Sequence, residues 1–213
     1  MSLDEYRRKR RFDSTPEPSG DKTSLHRRRS LVYVIQKHRA SRLHYDLRLE
    51  WGGVLLSWAI PKGPSLDPSV KRLAMQVEDH PVEYAGFEGV IPPDEYGGGT
   101  VMVWDKGTWA PESEDVDVAL QKGELKFTLH GRKLKGSWVL VRTRGFGRKA
   151  ARSSWLLIKH RDRYASSKDI TQSRPDSAIT HRLLADIARE EGGDIAATAS
   201  ADPAAGKRRA RRR

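Results

Sequence analysis

The chain has 213 residues, of which 37% are hydrophobic and 32% charged, so it is long enough for one domain with a modest core and a heavily charged surface. Its formal net charge of +12 predicts a polyanionic partner, most often nucleic acid, and six of the positive charges lie in the last seven residues. The absence of cysteine excludes disulfides, thiolate metal sites and a cysteine nucleophile, and the longest nearly apolar run, residues 54–60, is too short to span a bilayer.

Residues 1–30 are predicted to form an N-terminal arm. The arm is rich in Arg, Asp, Ser and Pro and lacks a hydrophobic period, so composition alone predicts that it is disordered or draped over the surface. Its basic run, residues 7–11, is equally compatible with a contact to nucleic acid and with an ordinary solvated segment.

Residues 31–165 have the pattern of a mainly β domain, because short alternating or β-branched segments are separated by glycine-containing turns. The predicted strands are residues 32–35, 43–51, 54–60, 75–80, 100–104, 108–109, 124–130, 137–143 and 154–159. Residues 105–107 are predicted to be a turn, and residues 114–122 a short helix that ends at Gly123. Many short strands with turns between them favour a closed antiparallel barrel or a sandwich.

The β pattern ends near residue 165. Asp176 and Ser177 are predicted to cap a helix over residues 178–191 within a C-terminal extension, residues 166–192. Residues 193–213 are rich in Ala, Asp and Arg and are predicted to be a disordered basic tail.

The second predicted strand carries a candidate metal site. His44 and Asp46 alternate onto its polar face, where their Cβ atoms should be about 6–7 Å apart. His38 would be about 20 Å from His44 in an unbroken strand, but residues 39–42 offer a turn that folds it back beside His44. Two imidazoles and one carboxylate suit Mn, Fe(II), Co or Zn with positions left open for a substrate.

The alternative is that these side chains are polar residues on the outer face of a barrel strand and have no catalytic role. Arg48 extends the same face and could hold a phosphate oxygen, or it could form an exposed pair with Glu50. Alternation also places Gln76, Glu78 and His80 on one face of a later strand, as a second polar stripe that contains histidine. Cations and imidazoles around a metal indicate phosphoryl chemistry, which depends on charge neutralisation and positioning.

Several long motifs in register resemble the 3′-phosphoesterase module of bacterial ATP-dependent DNA ligase D. They are QKH at 36–38, RLHYDLRLE at 42–50, SWAIPKGPS at 57–65, VEDHP at 77–81, EYG at 95–97, GSWVLVR at 136–142 and WLLIK at 155–159. The resemblance runs from about residue 5 to about residue 190, and the chain looks like a free-standing form of the module.

The resemblance implies a closed antiparallel β-barrel of about eight strands with one or two short helices and a metal site on its concave outer face. It also implies a Mn²⁺-dependent repair activity on the 3′ ends of a DNA or DNA–RNA primer-template, with Co²⁺ or Zn²⁺ compatible with the same site. A phosphodiesterase step would remove a 3′-terminal ribonucleoside, and a phosphomonoesterase step would then convert the 3′-phosphate into a 3′-OH.

The resemblance also assigns roles to residues of this chain that match the motifs of the family. The matched metal ligands are His38, His44 and Asp46. Arg48 and His80 match residues of the family that contact the phosphate, and Tyr84 matches an essential tyrosine. Four further residues match supporting positions: Gln36, Lys62, Arg72 and Glu78. Arg10 and Glu17 match functional positions in the arm, and this match implies that the arm folds over the active site.

One position departs from the family. Arg11 stands where the family usually has Asp, and Asp13 follows two residues later. A weakened diesterase step is therefore expected, unless Asp13 takes the place of the missing carboxylate. His80 is expected to act as a general acid or as a direct hydrogen-bond donor to phosphate, and its position in the sequence does not separate the two roles.

Two other classes of function compete with this reading. A non-catalytic basic barrel could bind nucleic-acid ends, but binding alone would not need His38, His44 and Asp46. A cupin-like enzyme for a small molecule would need a different order of ligands. The expected partners are DNA ends, with a separate ligase and a Ku-type end binder as further candidates. The protein is expected to be a monomer of the cytoplasm, associated with the nucleoid and without membrane contact.

Overall fold

A computed structural model of the chain describes residues 2–20, 30–143 and 154–203. Its strands are β1 (Leu31–Arg39), β2 (Leu43–Trp51), β3 (Val54–Ile60), β4 (Lys71–Pro81), β5 (Gly89–Ile91), β6 (Gly99–Pro111), β7 (Glu124–Gly131), β8 (Lys135–Arg142) and β9 (Ser154–Lys159). Its helices are α1 (Asp4–Arg8), α2 (Val116–Lys122), α3 (Ile170–Ser173), α4 (Leu184–Glu191), α5 (Ile195–Ala199) and a 3₁₀ helix (Val82–Gly86). No helix in these three ranges is long and apolar enough to cross a membrane.

Eight of the strands close into an antiparallel barrel. Their order is β1-β2-β3-β4-β9-β8-β7-β6, and β6 pairs back with β1, while the short β5 pairs with the start of β6. The predicted closed barrel is confirmed, but the described residues hold five short α-helices instead of one or two. Because α3 and α5 have only four and five residues, capping by Asp169 and Asp194 defines them better than any apolar period does.

The barrel interior is filled by aromatic and aliphatic side chains. Tyr45, Leu47 and Leu49 alternate inward from β2, as predicted, and four tryptophans are almost completely buried: Trp58, Trp104, Trp138 and Trp155. Burial of one such side chain contributes about 1.5–3 kcal/mol. Asp46 and Arg48, which face outward from β2, are buried too, because the arm and the 3₁₀ helix form a second, smaller apolar cluster on the outside of the barrel.

The predicted turn at residues 105–107 is wrong, because these residues lie inside the 13-residue strand β6. The pairing of β6 with β1 shifts its register between Ile35 and Gln36, which is a β-bulge. Asp105 is fully buried there and accepts a hydrogen bond of 2.5 Å from the Tyr33 hydroxyl and two more from the backbone N–H groups of residues 133 and 134. A residue typical of turns therefore serves as a buried acceptor.

A second bulge, in β4, shows that the prediction of Gln76 and His80 on one face of this strand is wrong. Ser57 pairs with Val77 but Leu55 pairs with His80, so β4 holds one extra residue between these pairs. As a result, Gln76 faces the barrel interior, where it accepts a hydrogen bond of 3.0 Å from Trp155 Nε1, whereas His80 faces outward. Simple alternation cannot predict this change of face, since a single inserted residue reverses it.

The helix predicted at residues 178–191 begins only at Leu184. The preceding residues instead wrap around the Glu88 carboxylate, which accepts hydrogen bonds from Ser177 Oγ at 2.7 Å and from Arg182 Nη2 at 3.0 Å. His181 has a positive φ of 62°, which is incompatible with a continuous helix. Ser177 thus stabilises a turn around a buried acid and does not cap a helix.

The disorder predicted for residues 193–213 is wrong for residues 193–203. They contain α5, and Asp202 forms an ion pair of 2.7 Å with the buried Lys37 of β1. The basic residues that end the predicted tail, and residues 21–29 of the predicted arm, lie outside the described residues. For residues 2–20 the disorder predicted from composition is also wrong, because Tyr6 is fully buried and Glu17 is 4% exposed.

Lys133 lies buried at the end of the barrel, where its ammonium is 4.5 Å from the centre of the Trp104 ring and donates to the carbonyl groups of Arg174 and Asp176. Burial lowers the pKa of Lys133 to about 7, although Asp176 and Asp105 oppose that shift. Between pH 7 and its unfolded-state pKa of about 10.4, the unfolded chain binds a proton that the folded chain does not, so this group makes stability rise with pH.

We therefore expect the free energy of unfolding of the wild type to increase from pH 7 to pH 9 relative to the Lys133→Met variant. The difference should grow by up to about 1.4 kcal/mol per pH unit. Urea denaturation of both proteins at pH 7, 8 and 9 measures it. Parallel pH dependences of the two proteins would show that Lys133 stays protonated when the protein is folded.

Candidate active site

The hairpin of β1 and β2 brings two histidines side by side. Its register pairs His38 with His44 and Gln36 with Asp46, so these side chains share the outer face of the barrel. Residues 40–42 make the turn between the strands, and the two imidazole centres are 4.7 Å apart. Because the two strands pair, His38 and His44 are direct cross-strand neighbours, and they do not have the long separation that an unbroken strand would give them.

His38, His44 and Asp46 form a cluster whose candidate ligand atoms all lie within 4.8 Å of one another. Asp46 Oδ2 is 3.8 Å from His38 Nδ1 and 3.7 Å from His44 Nε2. Ligands at about 2.0–2.2 Å from one ion are separated by roughly 3–4 Å, so these distances fit a single divalent cation.

The hydrogen bonds of the histidines also suit a metal site. His44 Nδ1 is 3.0 Å from the carbonyl oxygen of Arg42 and must donate to it, which leaves the Nε2 lone pair directed toward Asp46. His38 Nε2 is buried without a hydrogen-bond partner among the described residues, while its Nδ1 faces Asp46 Oδ2. His44 therefore has a ring held by a second contact, and His38 keeps one ring nitrogen free of any described hydrogen bond; both arrangements are compatible with a histidine ligand.

Arg48 connects this cluster to the rest of the outer face. Its guanidinium donates to Gln36 Oε1 at 2.7 Å, Ser57 Oγ at 2.9 Å and Asp46 Oδ2 at 3.3 Å, and it lies 4.9 Å from the centre of the Tyr84 ring. Burial opposes ionisation of Asp46, but Arg48 and the two histidines outweigh it and hold the pKa of this carboxyl far below its usual range. Asp46 is therefore an anionic acceptor at neutral pH.

His80 faces the same space from β4. Its Nδ1 lies 2.9 Å from the carbonyl oxygen of Glu78 and must donate to it, while its Nε2 lies 3.3 Å from Arg10 Nη2 and must accept. Burial, Arg48 and Arg10 lower the pKa of His80 well below its ordinary value. His80 is therefore a neutral imidazole at pH 7, with its Nε2 lone pair on the side of the two arginines.

The arm covers this outer face. Arg10 donates to Glu17 at 2.8 Å and to Glu78 at 3.4 Å, and its guanidinium lies 3.9 Å from the centre of the Tyr6 ring. Tyr84 Oη donates to the same Glu17 carboxylate at 2.9 Å, and burial and Glu17 raise the pKa of this phenol well above its ordinary value. The arm and the barrel thus share one buried network of charged and hydrogen-bonding groups.

Residues 36–142, which include this entire cluster apart from the arm, match the family model described as the DNA Ligase D 3'-phosphoesterase domain. The chain belongs to this family. The resemblance identified from the sequence motifs is thereby confirmed.

The multifunctional non-homologous end joining protein LigD of Pseudomonas aeruginosa is 54% identical over 185 residues, which cover 85% of this chain and 22% of that protein. The corresponding LigD proteins of Mycobacterium tuberculosis and Mycolicibacterium smegmatis are 45% identical over 67% of the chain and 41% identical over 75% of it. The chain spans about a fifth of the length of these relatives: 22%, 18% and 21%.

Two residues matched to the phosphoesterase family by sequence are not joined to this network by any described contact. Lys62 lies exposed after β3. Arg72 pairs with Leu157 of β9, which puts it on the face of β4 that Ala74 and Gln76 share, and its buried Nε has no hydrogen-bond partner among the described residues. The network does contain the other matched residues: Arg10, Glu17, Gln36, His38, His44, Asp46, Arg48, Glu78, His80 and Tyr84.

The departure from the phosphoesterase family at residue 11 has a structural consequence. Arg11 donates twice to Glu95 Oε1, at 2.9 and 2.5 Å. Asp13 is exposed, and its carboxylate accepts a hydrogen bond from Ser14 at 3.4 Å. Arg11 therefore links the arm to the loop before β6, and the described contacts of Asp13 do not extend into the metal cluster.

Three further residues of the network were missed by the sequence analysis. Ser57 bonds to Arg48 and lies 3.4 Å from His80 Nδ1, Tyr6 packs between Arg10 and His80, and Lys9 forms an ion pair of 3.1 Å with Glu78. Ser57 could have been recognised as a candidate, because it carries the single hydroxyl group of the otherwise apolar strand β3. Tyr6 and Lys9 lie in the arm, where no local pattern indicates burial or contact.

Proposed function

We propose that this protein is a metal-dependent 3′-phosphoesterase that processes the ends of DNA. Its phosphodiesterase activity would remove a 3′-terminal ribonucleoside and leave a 3′-phosphate, and its phosphomonoesterase activity would convert that phosphate into a 3′-OH. The observation that carries the proposal is the His38, His44 and Asp46 cluster with Arg48 and His80 beside it. The family membership supports the same chemistry.

His38, His44 and Asp46 are the residues that would hold the cation, and we propose Mn²⁺, with Co²⁺ and Zn²⁺ suited to the same donors. A divalent ion held there would supply Lewis-acid polarisation of a phosphoryl oxygen and neutralise part of its charge. Asp46 contributes a permanent negative charge, and Arg42 fixes the orientation of His44 through its carbonyl group.

Arg48 is suited to binding the phosphate. Its guanidinium has five N–H groups, and three of them are engaged by Gln36, Ser57 and Asp46. These three contacts hold the guanidinium rigidly, and the remaining two N–H groups can donate to phosphate oxygens. A preformed donor of this kind loses little entropy when it binds an anion.

His80 can serve the phosphate only if its protonation changes. Both a hydrogen bond to phosphate and general acid catalysis through Nε2 require a proton there, while in the free protein Nε2 accepts from Arg10. A bound phosphate would add negative charge beside the two repulsive cations and so favour the imidazolium. We therefore propose that His80 gains its proton together with the substrate.

The arm is suited to the diester step. Arg10, Glu17 and Glu78 form a buried group of charges next to His80, and their pairing with one another offsets part of the cost of burying them. We propose that this group contacts the ribose, whose 2′-OH is both donor and acceptor and distinguishes RNA from DNA.

The biological setting is also part of the proposal. The net charge of +12 favours a nucleic-acid substrate, and the names of the relatives point to non-homologous end joining. We propose that the protein acts as a monomer on DNA or DNA–RNA primer-template ends, alongside a ligase and a Ku-type end binder, in the cytoplasm at the nucleoid.

The test uses two labelled primer-templates, one ending in a single ribonucleotide and one ending in a 3′-phosphate, each with and without Mn²⁺. We expect Mn²⁺-dependent loss of the ribonucleoside from the first and Mn²⁺-dependent formation of a 3′-OH on the second. A primer that ends in a deoxynucleoside 3′-OH serves as the unreactive control.

The competing function, a basic barrel that binds nucleic-acid ends without catalysis, predicts no Mn²⁺-dependent reaction. Such a protein would bind all three primers with an affinity that falls steeply with salt, but none of them would change in the presence of Mn²⁺. That outcome would overturn the proposed enzyme.

A further inference from the structure

Tyr96 is an exposed aromatic side chain at the rim of the candidate active site. It is 50% exposed, more than any other large hydrophobic residue in the described ranges. Single exposed rings are common on protein surfaces, and what distinguishes Tyr96 is its place beside the candidate active site.

Two contacts show that Tyr96 lies next to both halves of the site. A Cβ atom added to the following residue, Gly97, would meet His38 Cε1 at 3.8 Å, so the chain passes directly beside a candidate metal ligand. On the other side, the Arg10 guanidinium lies 5.6 Å from the centre of the Tyr96 ring and 3.3 Å from His80 Nε2. The ring therefore borders the space between the metal cluster and His80.

The loop that carries Tyr96 is held in place before any ligand binds. Glu95 N donates to the Pro92 carbonyl at 3.1 Å, Gly98 N donates to the Glu95 carbonyl at 3.0 Å, and the buried Glu95 carboxylate pairs with Arg11. Lys9 adds a further restraint, because its ammonium lies 4.8 Å from the centre of the Tyr96 ring. A ring on such a loop is preorganised, which reduces the entropy lost on binding.

We infer that Tyr96 is a stacking platform for the nucleobase of the 3′-terminal nucleoside, on the leaving side of the scissile phosphate. This inference rests on the proposed function, because it takes the phosphate to lie between the metal cluster and His80. Aromatic side chains stack on every base through their π-faces, so Tyr96 accepts any terminal base without reading its identity. The cations Lys9 and Arg10 next to the ring attract the adjoining backbone.

The two proposed substrates differ in the group that Tyr96 would contact. The diester carries a terminal nucleoside beyond the scissile phosphate, whereas the 3′-phosphate monoester carries none. Loss of stacking should therefore lower kcat/KM on the diester and leave kcat/KM on the monoester unchanged. From the usual contribution of one stacked base, the expected decrease for Tyr96→Ala is about 5- to 100-fold.

The variants separate the aromatic ring from its hydroxyl and from its bulk. We expect Tyr96→Phe to keep the diester activity and Tyr96→Leu to lose it almost as far as Tyr96→Ala does. Val118→Ala is the matched control, since Val118 is 40% exposed on α2 and takes no part in the network. Equal losses on both substrates, or no loss on the diester, would overturn the inference.

A binding measurement keeps the inference testable even if the wild type shows no turnover. Metal-free protein is titrated with a primer-template that ends in a ribonucleotide and with one whose terminal ribose is abasic. We expect the wild type to bind the base-bearing end about 5- to 100-fold more tightly and Tyr96→Ala to show no such preference. Equal affinity of the wild type for both ends would overturn stacking, while absent turnover with a retained preference would overturn only the enzyme.

Discussion

Replacement of His44 by alanine is expected to lower Mn²⁺-dependent turnover of both primers by at least about 100-fold. The substitution removes one of three candidate ligands, and loss of a group that merely supports a ligand already lowers metal affinity or activity about 10- to 100-fold. His44 is the most exposed of the three, with 24% of its side chain accessible, so the fold should tolerate alanine.

Direct metal binding separates this effect from a general loss of activity. Titration of Mn²⁺ followed by electron paramagnetic resonance should show one bound ion in the wild type and greatly weakened binding in His44→Ala. His130→Ala is the matched control, because His130 is exposed on β7 and pairs with Thr108 and Lys135, neither of which belongs to the candidate metal cluster. Unchanged turnover by a folded His44→Ala protein at equal Mn²⁺ would eliminate the proposed metal centre.

Replacement of Asp202 by alanine is expected to reduce the free energy of unfolding by about 3–5 kcal/mol. Lys37 and Asp202 are joined at 2.7 Å with 1% and 6% of their side chains exposed, and the second carboxylate oxygen accepts from the backbone of Ala185 at 3.0 Å. The variant leaves the Lys37 ammonium buried without its counterion. Burial already lowers the pKa of Lys37, and only Asp202 opposes that shift.

A second substitution tests the cause of this loss. Lys37→Met in the Asp202→Ala background removes the unpaired charge and should recover most of the stability, since apolar replacements of buried pairs are often neutral. Glu114→Ala, at an exposed position, is the control and should change stability by less than about 0.5 kcal/mol. Urea denaturation measures all three variants. A loss below about 1 kcal/mol for Asp202→Ala would show that water reaches the pair.

The charges on the outer face suit the proposed binding of a cation together with a phosphate. Lys9, Arg10 and Arg48 are balanced by Glu17, Glu78 and Asp46, whose carboxylates are all buried and paired with them. Binding of a divalent ion would add two positive charges to this group, and a phosphate monoester dianion would offset them. Each ligand would therefore favour binding of the other in a region of low dielectric constant.

Local patterns determine much of the fold and part of the site. The alternation of Tyr45, Leu47 and Leu49 and the glycine turns define strands that can bury their apolar faces in a closed barrel or a sandwich, and the family resemblance favours the barrel. The same alternation brings His44 and Asp46 to one face, and the polar residues after His38 form the turn that returns it to that face. These features could be predicted because they depend on neighbours within a few residues.

The tertiary structure alone decides the rest of the site. The bulge between Val77 and His80 turns His80 outward and Gln76 inward, and a single extra residue has no signature in the alternation of β4. Arg10 meets Glu78 across 68 residues, and Lys37 meets Asp202 across 165 residues. The sequence by itself therefore determined the strands, the turn beside His38 and the candidate ligands, whereas the burial and pairing of the arm and C-terminal segment depend on ion pairs between residues far apart in the chain, which no local pattern encodes.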